Sequence, residues 1–415
     1  MERYDASRRK SIAVVESLRA GIPTRLSTRE LPDLRAPLTD LIRQDLVKFT
    51  QGDRPPGRLA WGPYGQGKTH ALTTIEHVAL DLGFAVSRVS LSREVSCHHL
   101  FNFYGRVASV LRTPDSKLFG LARGLNQRKQ GDFERSPLAD PDRYSHPLPA
   151  LVLEDYFFTT GEEQDMLYSD LMGTRIAVSD LKRIHRAARG ATLPKFEPNF
   201  RVTEHGNAYF GVMADAVTLC GYKGWVILLD EVELVGRLGK VGRMQAYRNL
   251  NWLLNWVNCP YPIYTVGVVA SSLRNDVWFS GTHASSSRND RTQIPQLAAE
   301  KLGEAARTEM EKFFETAIGS TCPIIRPLDA RDLETLLQKL TELHGTAYGW
   351  NATLNVQDLL QTIGSQPIRT HIRAALEALD LGYLYKEPVK LKTSTLQESS
   401  VQEEEDFFSL PESEP

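Results

Sequence analysis

The strongest constraint on this chain is the run Leu59-Ala60-Trp61-Gly62-Pro63-Tyr64-Gly65-Gln66-Gly67-Lys68-Thr69-His70. A short apolar stretch meets a glycine-spaced loop of the form GxxxxGKT, and a helix-forming segment opens at His70-Ala71-Leu72. A strand that turns through such a loop directly into a helix predicts an α/β core, and the residue types suit a phosphate chain. Gly62, Gly65 and Gly67 let the backbone curl with its N–H groups inward, so that the loop, with Pro63, Tyr64 and Gln66, forms an anion nest. Lys68 would reach the β- and γ-phosphates, and the Thr69 hydroxyl would ligate Mg²⁺. The helix that carries His70 would aim its positive dipole end at the same group. The alternative is a glycine-rich surface turn.

A second signal supports the first. Residues 225–229, Trp-Val-Ile-Leu-Leu, form a continuous apolar run of the kind buried on both faces of a parallel sheet, and it ends in Asp230-Glu231. An aspartate at that place can hold Mg²⁺ through water, and the glutamate after it can orient and polarise an attacking water. ATP and Mg²⁺ are therefore the expected cofactors, and hydrolysis is expected, with Lys68 and Glu231 as catalytic residues. Ser271, beside Ser272 at the end of a strand over 264–270, is the candidate γ-phosphate sensor. Arg369, at the opening of a helix over 367–382, is the candidate arginine that reads the phosphates, with Arg373 one turn on as its competitor.

Composition sets the limits. The 415 residues are 41% hydrophobic and 24% charged with a formal net charge of −2, ordinary for a globular protein and without a global electrostatic case for nucleic acid. Cys97, Cys220, Cys259 and Cys322 are scattered with no CxxC pair, which argues against a zinc site and a disulfide framework. No apolar stretch approaches the length needed to span a bilayer, and the polar N-terminus lacks a signal-peptide core, so no membrane contact and a cytoplasmic location are expected.

Strands over 58–61, 84–91, 225–229 and 264–270, separated by helical stretches, predict a doubly wound parallel sheet. Helices are expected over 5–20, 37–50, 329–344, 355–363 and 367–382, and 322–328 reads as a last core strand with an exit turn. Asp230 lies 162 residues after Lys68, far more than a compact strand–helix–strand path needs. The expected organisation is an N-terminal helical segment (1–50), the first part of the core (51–104) and a helical insertion (105–205). The second part of the core (206–327), a helical lid (328–392) and a disordered acidic tail (393–415) follow. Within the insertion, Lys182, Arg183, Arg186 and Arg189 offer either a solvated helix face or a basic surface for nucleic acid. In the tail, Phe407-Phe408 lies among acidic residues, as an inert stretch or a short docking motif.

The order of phosphate loop, Asp-Glu strand, polar strand end and Pro-Leu turn into a helical bundle resembles a P-loop NTPase of the AAA+ kind, with origin-recognition-like and STAND ATPases as relatives. More narrowly, the chain resembles the ATP-binding proteins of bacterial BREX phage-defence systems, of the BrxD type. The residues that carry this are 17–23 (Ser-Leu-Arg-Ala-Gly-Ile-Pro), the glycine loop from Trp61 to His70, Gly221-Tyr222-Lys223-Gly224-Trp225, and Asp230-Glu231-Val232-Glu233-Leu234 with Val235-Gly236-Arg237, Arg243 and Tyr247. The resemblance spans roughly residues 8 to 385 in patches, and the Ser271-Ser272 strand end matches only loosely. It implies an ATPase switch or motor that works with other subunits of an anti-phage complex and with DNA-acting partners. It also implies homo-oligomers in which an arginine from one subunit completes its neighbour's site, with Arg288, Arg291 and Arg307 as unassigned candidates. The alternatives are a DNA-loading ATPase of the origin-recognition kind, whose DNA contact would come from the basic insertion, and a small-molecule kinase.

Overall fold

The computed structural model describes residues 2–22, 24–116, 118–279, 289–319, 321–364 and 366–386. Pro23 of the opening motif, Arg288 and the acidic tail with Phe407-Phe408 lie outside those residues. In chain order the elements are α1 (Glu2–Arg19), α2 (Arg25–Glu30), α3 (Ala36–Thr50), β1 (Arg58–Gly62), α4 (Lys68–Asp81), β2 (Ala85–Ser90) and α5 (Leu100–Ser109). The short helices α6 (Ala122–Leu125), α7 (Gln130–Glu134), α8 (Leu148–Tyr156), α9 (Glu162–Leu171) and α10 (Val178–Arg189) follow. Next come α11 (Val202–Leu219), β3 (Trp225–Asp230), α12 (Lys240–Leu253), β4 (Ile263–Ala270), α13 (Asp290–Leu302) and α14 (Glu304–Ile318). Finally α15 (Ala330–Tyr348), α16 (Val356–Ile363) and α17 (Ile368–Tyr385) complete the described chain.

The four strands form one parallel sheet in the order β1-β4-β3-β2, with Trp61 beside Val269 and Leu228 beside Val266. Every residue of β3 and β4 is buried, as the unbroken apolar runs require of strands covered on both faces. Side-chain alternation assigns the faces. Val226 and Leu228 join Val86, Val266 and Val268 under α3 and α4. Trp225, Ile227 and Leu229 face the larger core, which gathers α5, α8, α11, α12 and α14. Burying each of the β3 side chains from Val226 to Leu229 contributes about 1.5–3 kcal/mol relative to exposure.

The segment between β2 and β3 adds its apolar residues to that larger core. Leu121, Leu125, Phe133, Leu138, Tyr144, Leu153 and Leu167 pack in the same cluster as Leu229. A third core lies apart from the sheet. Val14, Val15 and Leu18 of α1 pack with Leu336, Leu340 and Ala375 of the C-terminal helices. The Arg19 guanidinium holds Asp380 at 2.7 Å across this junction. Thus α1 belongs with α15 and α17, whereas α3 belongs with the sheet.

The strand expected over 322–328 is reduced to a single parallel bridge between Ile324 and Trp61. The Trp61 N–H donates to the Pro323 carbonyl at 2.9 Å and the Ile325 N–H donates to the Trp61 carbonyl at 2.6 Å. Pro323 has no N–H to extend the ladder. On the opposite edge, Val86 bridges Arg112, so short pairings blunt both sheet edges.

The four basic residues of α10 do not act alike. Arg189 turns inward, with Nη2 2.5 Å from Glu154 and Nε 3.0 Å from Asp155. Arg183 pairs with Glu163 at 2.6 Å. Lys182 and Arg186 point outward and form no ion pair among the described residues.

Candidate nucleotide site

A cavity of about 240 Å³ opens where the C-terminal edge of the sheet meets the helical unit. In open parallel sheets the carboxyl edge is where ligands are received, because strand ends and helix N-termini converge there. The geometry of the turn over residues 63–67 follows from its glycines. Gly65 and Gly67 both adopt left-handed φ values, +72° and +78°. A Cβ on Gly65 would sit 2.6 Å from the Pro367 Cβ, so the turn needs glycine for approach as well as for φ. The Gly65 carbonyl accepts a hydrogen bond from the Ile368 N–H at 3.2 Å, which seats the first turn of α17 directly on the glycine turn.

Helix α4 begins at Lys68, two residues earlier than the sequence pattern places it. Lys68 is 8% exposed, and its ammonium donates to the Gly62 and Pro63 carbonyls at 3.1 and 2.8 Å. It also lies 4.8 Å from the Tyr64 ring centroid. Asp230, at the end of β3, accepts from the Arg88 guanidinium at 3.3 Å. Glu231 follows in left-handed backbone geometry, φ 56° and ψ 39°, a strained state for a non-glycine residue that concentrates at functional sites. Partial burial, reinforced by the charges of Asp230 and Glu233, raises the Glu231 carboxyl above the usual glutamate range, against the pull of Ser90 and Arg237. Burial likewise pushes His70 down, which favours its neutral form.

Of the residues singled out from sequence, Gly65, Gly67, Lys68, Thr69, His70, Tyr64, Asp230, Glu231 and Arg369 line this one cavity. Gly62, Pro63, Gln66 and Ser271 lie outside its lining. Ser271 and Ser272 follow the end of β4, and the buried Ser272 hydroxyl oxygen has no hydrogen-bond partner. Arg373 approaches Gly21, where an added Cβ would meet its guanidinium at 3.2 Å. Among the candidates for a neighbour's site, Arg307 is held by Glu311 at 3.0 Å and Arg291 lies 5.4 Å from the Phe279 ring.

Three charged residues at the site have no role assigned from sequence. Arg35, between α2 and α3, lines the cavity and donates to the Gln66 and Arg326 carbonyls at 2.7 and 2.5 Å. Arg88, on β2, joins Asp230 to the Thr73 hydroxyl of α4. Glu233, 1% exposed, accepts from the Ala270 N–H at 2.9 Å and so ties the Asp-Glu turn to the end of β4. Glu233 falls inside the Asp-Glu-Val-Glu-Leu block already marked as distinctive. Nothing local in sequence marks Arg35 or Arg88.

The donor set suits a small hard cation. Among the described residues no group of three or more histidine, cysteine or carboxylate side chains could hold a metal by itself. Thr69 and Asp230 both line the cavity, and their side-chain oxygens are the ones that would meet such an ion. Mg²⁺ commonly takes one or two protein oxygens and completes its shell with phosphates and water. No described helix is long and apolar enough to cross a membrane.

Neither a curated protein nor a solved structure matches this chain. One family model does, over residues 6–122 and 203–371, more than half of the chain. Its two blocks hold all four strands, the glycine turn, Asp230, Glu231 and Arg369, and they skip α7 to α10. The chain therefore belongs to the family described as BREX system ATP-binding protein BrxC/D.

Proposed function

We propose that this protein is an AAA+-like ATPase that acts as a nucleotide-driven switch within a BREX defence system. The observation that carries the reading is the single cavity where the glycine turn, the Asp230-Glu231 strand end and Arg369 of the helical unit meet. In this reading Lys68 exchanges its hold on the Gly62 and Pro63 carbonyls for the β- and γ-phosphates. Mg²⁺, held by Thr69 and Asp230, would neutralise charge on the phosphate oxygens. Glu231 accepts a proton from the attacking water, a role that its raised pKa favours near neutral pH. The leaving group is ADP.

Coupling to the rest of the molecule runs through α17. Its first turn rests on Gly65, and Arg369 follows within that turn. A γ-phosphate that draws Arg369 inward would pull on the core that α17 shares with α1 and α15. The C-terminal helices thus serve as the lid, and the work is passed to other subunits of the defence complex.

The test is phosphate release by the purified protein, with no acceptor added. Glu231→Gln should lower turnover by about 10²–10⁴-fold while nucleotide still binds, and Lys68→Ala should lose binding. Parental turnover in Glu231→Gln would refute the assignment. Phosphate release that required an added acceptor would favour a kinase instead.

A further inference from the structure

The segment that the family match skips contains a broad groove of about 1520 Å³ between α10 and residues 191–200. Its chemistry is one-sided. Arg175, Lys182, Arg183, Arg186 and Lys195 line it, and Glu197 is the one acidic residue in its wall. Arg183 is paired with Glu163, but Lys182, Arg186 and Lys195 form no ion pair among the described residues. Two aromatic rings, Phe196 and Phe200, stand half-exposed in the same groove, with their centroids 5.2 and 5.1 Å from that of the His146 ring. The Arg175 guanidinium lies 4.7 Å from the Phe200 centroid, and its buried Nε has no hydrogen-bond partner.

Unpaired cations alone would suit any polyanion. The recessed rings narrow the choice, since a basic track with aromatic platforms receives phosphates along one side and base faces along the other. A duplex hides its base faces in the stack and cannot use Phe196 or Phe200. An acidic polypeptide brings its charge on carboxylates and has no planar face at every repeat, whereas each nucleotide carries a phosphate and a base together. We propose that the groove between α10 and residues 191–200 binds single-stranded nucleic acid, with phosphates on Lys182, Arg186 and Lys195 and bases against Phe196 and Phe200. This redraws the basic surface expected from sequence. Arg189 leaves it, occupied by Glu154 and Asp155, and Lys195 enters it from the facing loop.

The inference is independent of the ATPase reading and is tested without nucleotide. Full-length protein would be titrated against a fluorescein-labelled oligothymidylate of about 20 nucleotides, longer than the span of one such groove, and read by anisotropy at several salt concentrations. The parent should bind the single strand in preference to a duplex of equal length. The triple reversal Lys182→Glu, Arg186→Glu and Lys195→Glu should weaken binding at least about tenfold. It should also flatten the salt dependence by about two, near 0.7 per lost phosphate contact. Phe196→Leu, which keeps an apolar contact with His146, should weaken binding about fivefold with the salt slope unchanged. Lys195→Glu alone, on an exposed loop position, guards against a misfolded triple variant and should cost part of the same loss. No binding by the parent, binding indifferent to the reversals, equal or tighter binding of duplex, or stronger binding of polyglutamate would each overturn the proposal.

Discussion

Replacing Gly65 by alanine tests how tightly the helical unit is seated on the glycine turn. Two costs add at this position. The backbone φ of +72° is left-handed, which costs a residue with a Cβ about 1–2 kcal/mol. The new methyl would also stand 2.6 Å from the Pro367 Cβ and 3.3 Å from its Cγ, and a proline ring cannot rotate aside. Overpacking of that kind adds about 1–3 kcal/mol. Gly67→Ala is the matched control, because its φ is +78° but its Cβ would meet only the Ile368 Cδ1 at 3.6 Å. The two variants should therefore differ by the overlap alone, which corresponds to roughly 5- to 150-fold in an opening equilibrium. The overlap disappears if α17 lifts away, so the difference should emerge where the Ile368 N–H meets the Gly65 carbonyl. Hydrogen–deuterium exchange over residues 366–372 reads this directly, with thermal melting as a measure of the whole molecule. Equal loss of protection in the two variants, or none in either, would refute the argument.

Further outcomes follow from the charged groups. Because partial burial and the neighbouring carboxylates raise the Glu231 pKa, turnover should fall with decreasing pH through a midpoint above the ordinary glutamate value of about 4.3. A pH–rate profile with its acid limb at or below that value would contradict the assignment of Glu231 as base. Arg243 and Asp290 form a pair buried almost completely at 2.8 Å, with the Tyr247 hydroxyl on the same carboxylate. Arg243→Met should cost about 3–5 kcal/mol by stranding Asp290, and adding Asp290→Leu should recover much of it, as measured by urea denaturation. Arg35→Ala removes a guanidinium that grips the Gln66 and Arg326 carbonyls. It should weaken binding of a fluorescent ATP analogue with little change in melting temperature, and an unchanged affinity would show that Arg35 only braces the turn.

Some of this architecture is legible in the chain because its signals are local. Trp225 to Leu229 announces a strand covered on both faces, and β3 is one. Gly65, Gly67 and Lys68 sit within four positions of each other, so their common turn can be read from spacing alone. The failures share a different cause. Pro323 interrupts an otherwise apolar strand pattern because a ladder needs an N–H that proline lacks, a signal present in the sequence that the apolar run outweighed. Arg189 carries the same charge in sequence as Arg186, yet its partners Glu154 and Asp155 come from another helix and draw it inward. Arg35 and Arg88 are ordinary arginines in sequence. Only the folding of α4 between α3 and β2 brings them to Gln66 and Asp230. The short helices from α6 to α10 are hard to delimit because four to twelve residues hold too few turns for a 3.6 period to stand out.

The shared core of α1 with α15 and α17 has a consequence for how the molecule is made. Arg19 and Asp380 lie 361 positions apart. At about 5–20 residues per second of synthesis, the first helix waits roughly 20–70 s for its partners. During that interval Val14, Val15 and Leu18 have only Leu26, Leu31 and Leu34 of their native core beside them, while the sheet and its flanking helices can already assemble. The part of the cavity wall that Leu336 and Ile372 supply arrives last, although Leu18 and Gly21 opposite it are made first. A nascent chain thus holds a glycine turn long before it holds an enclosed pocket, and the pocket is completed only when α1 meets the last helices to be made.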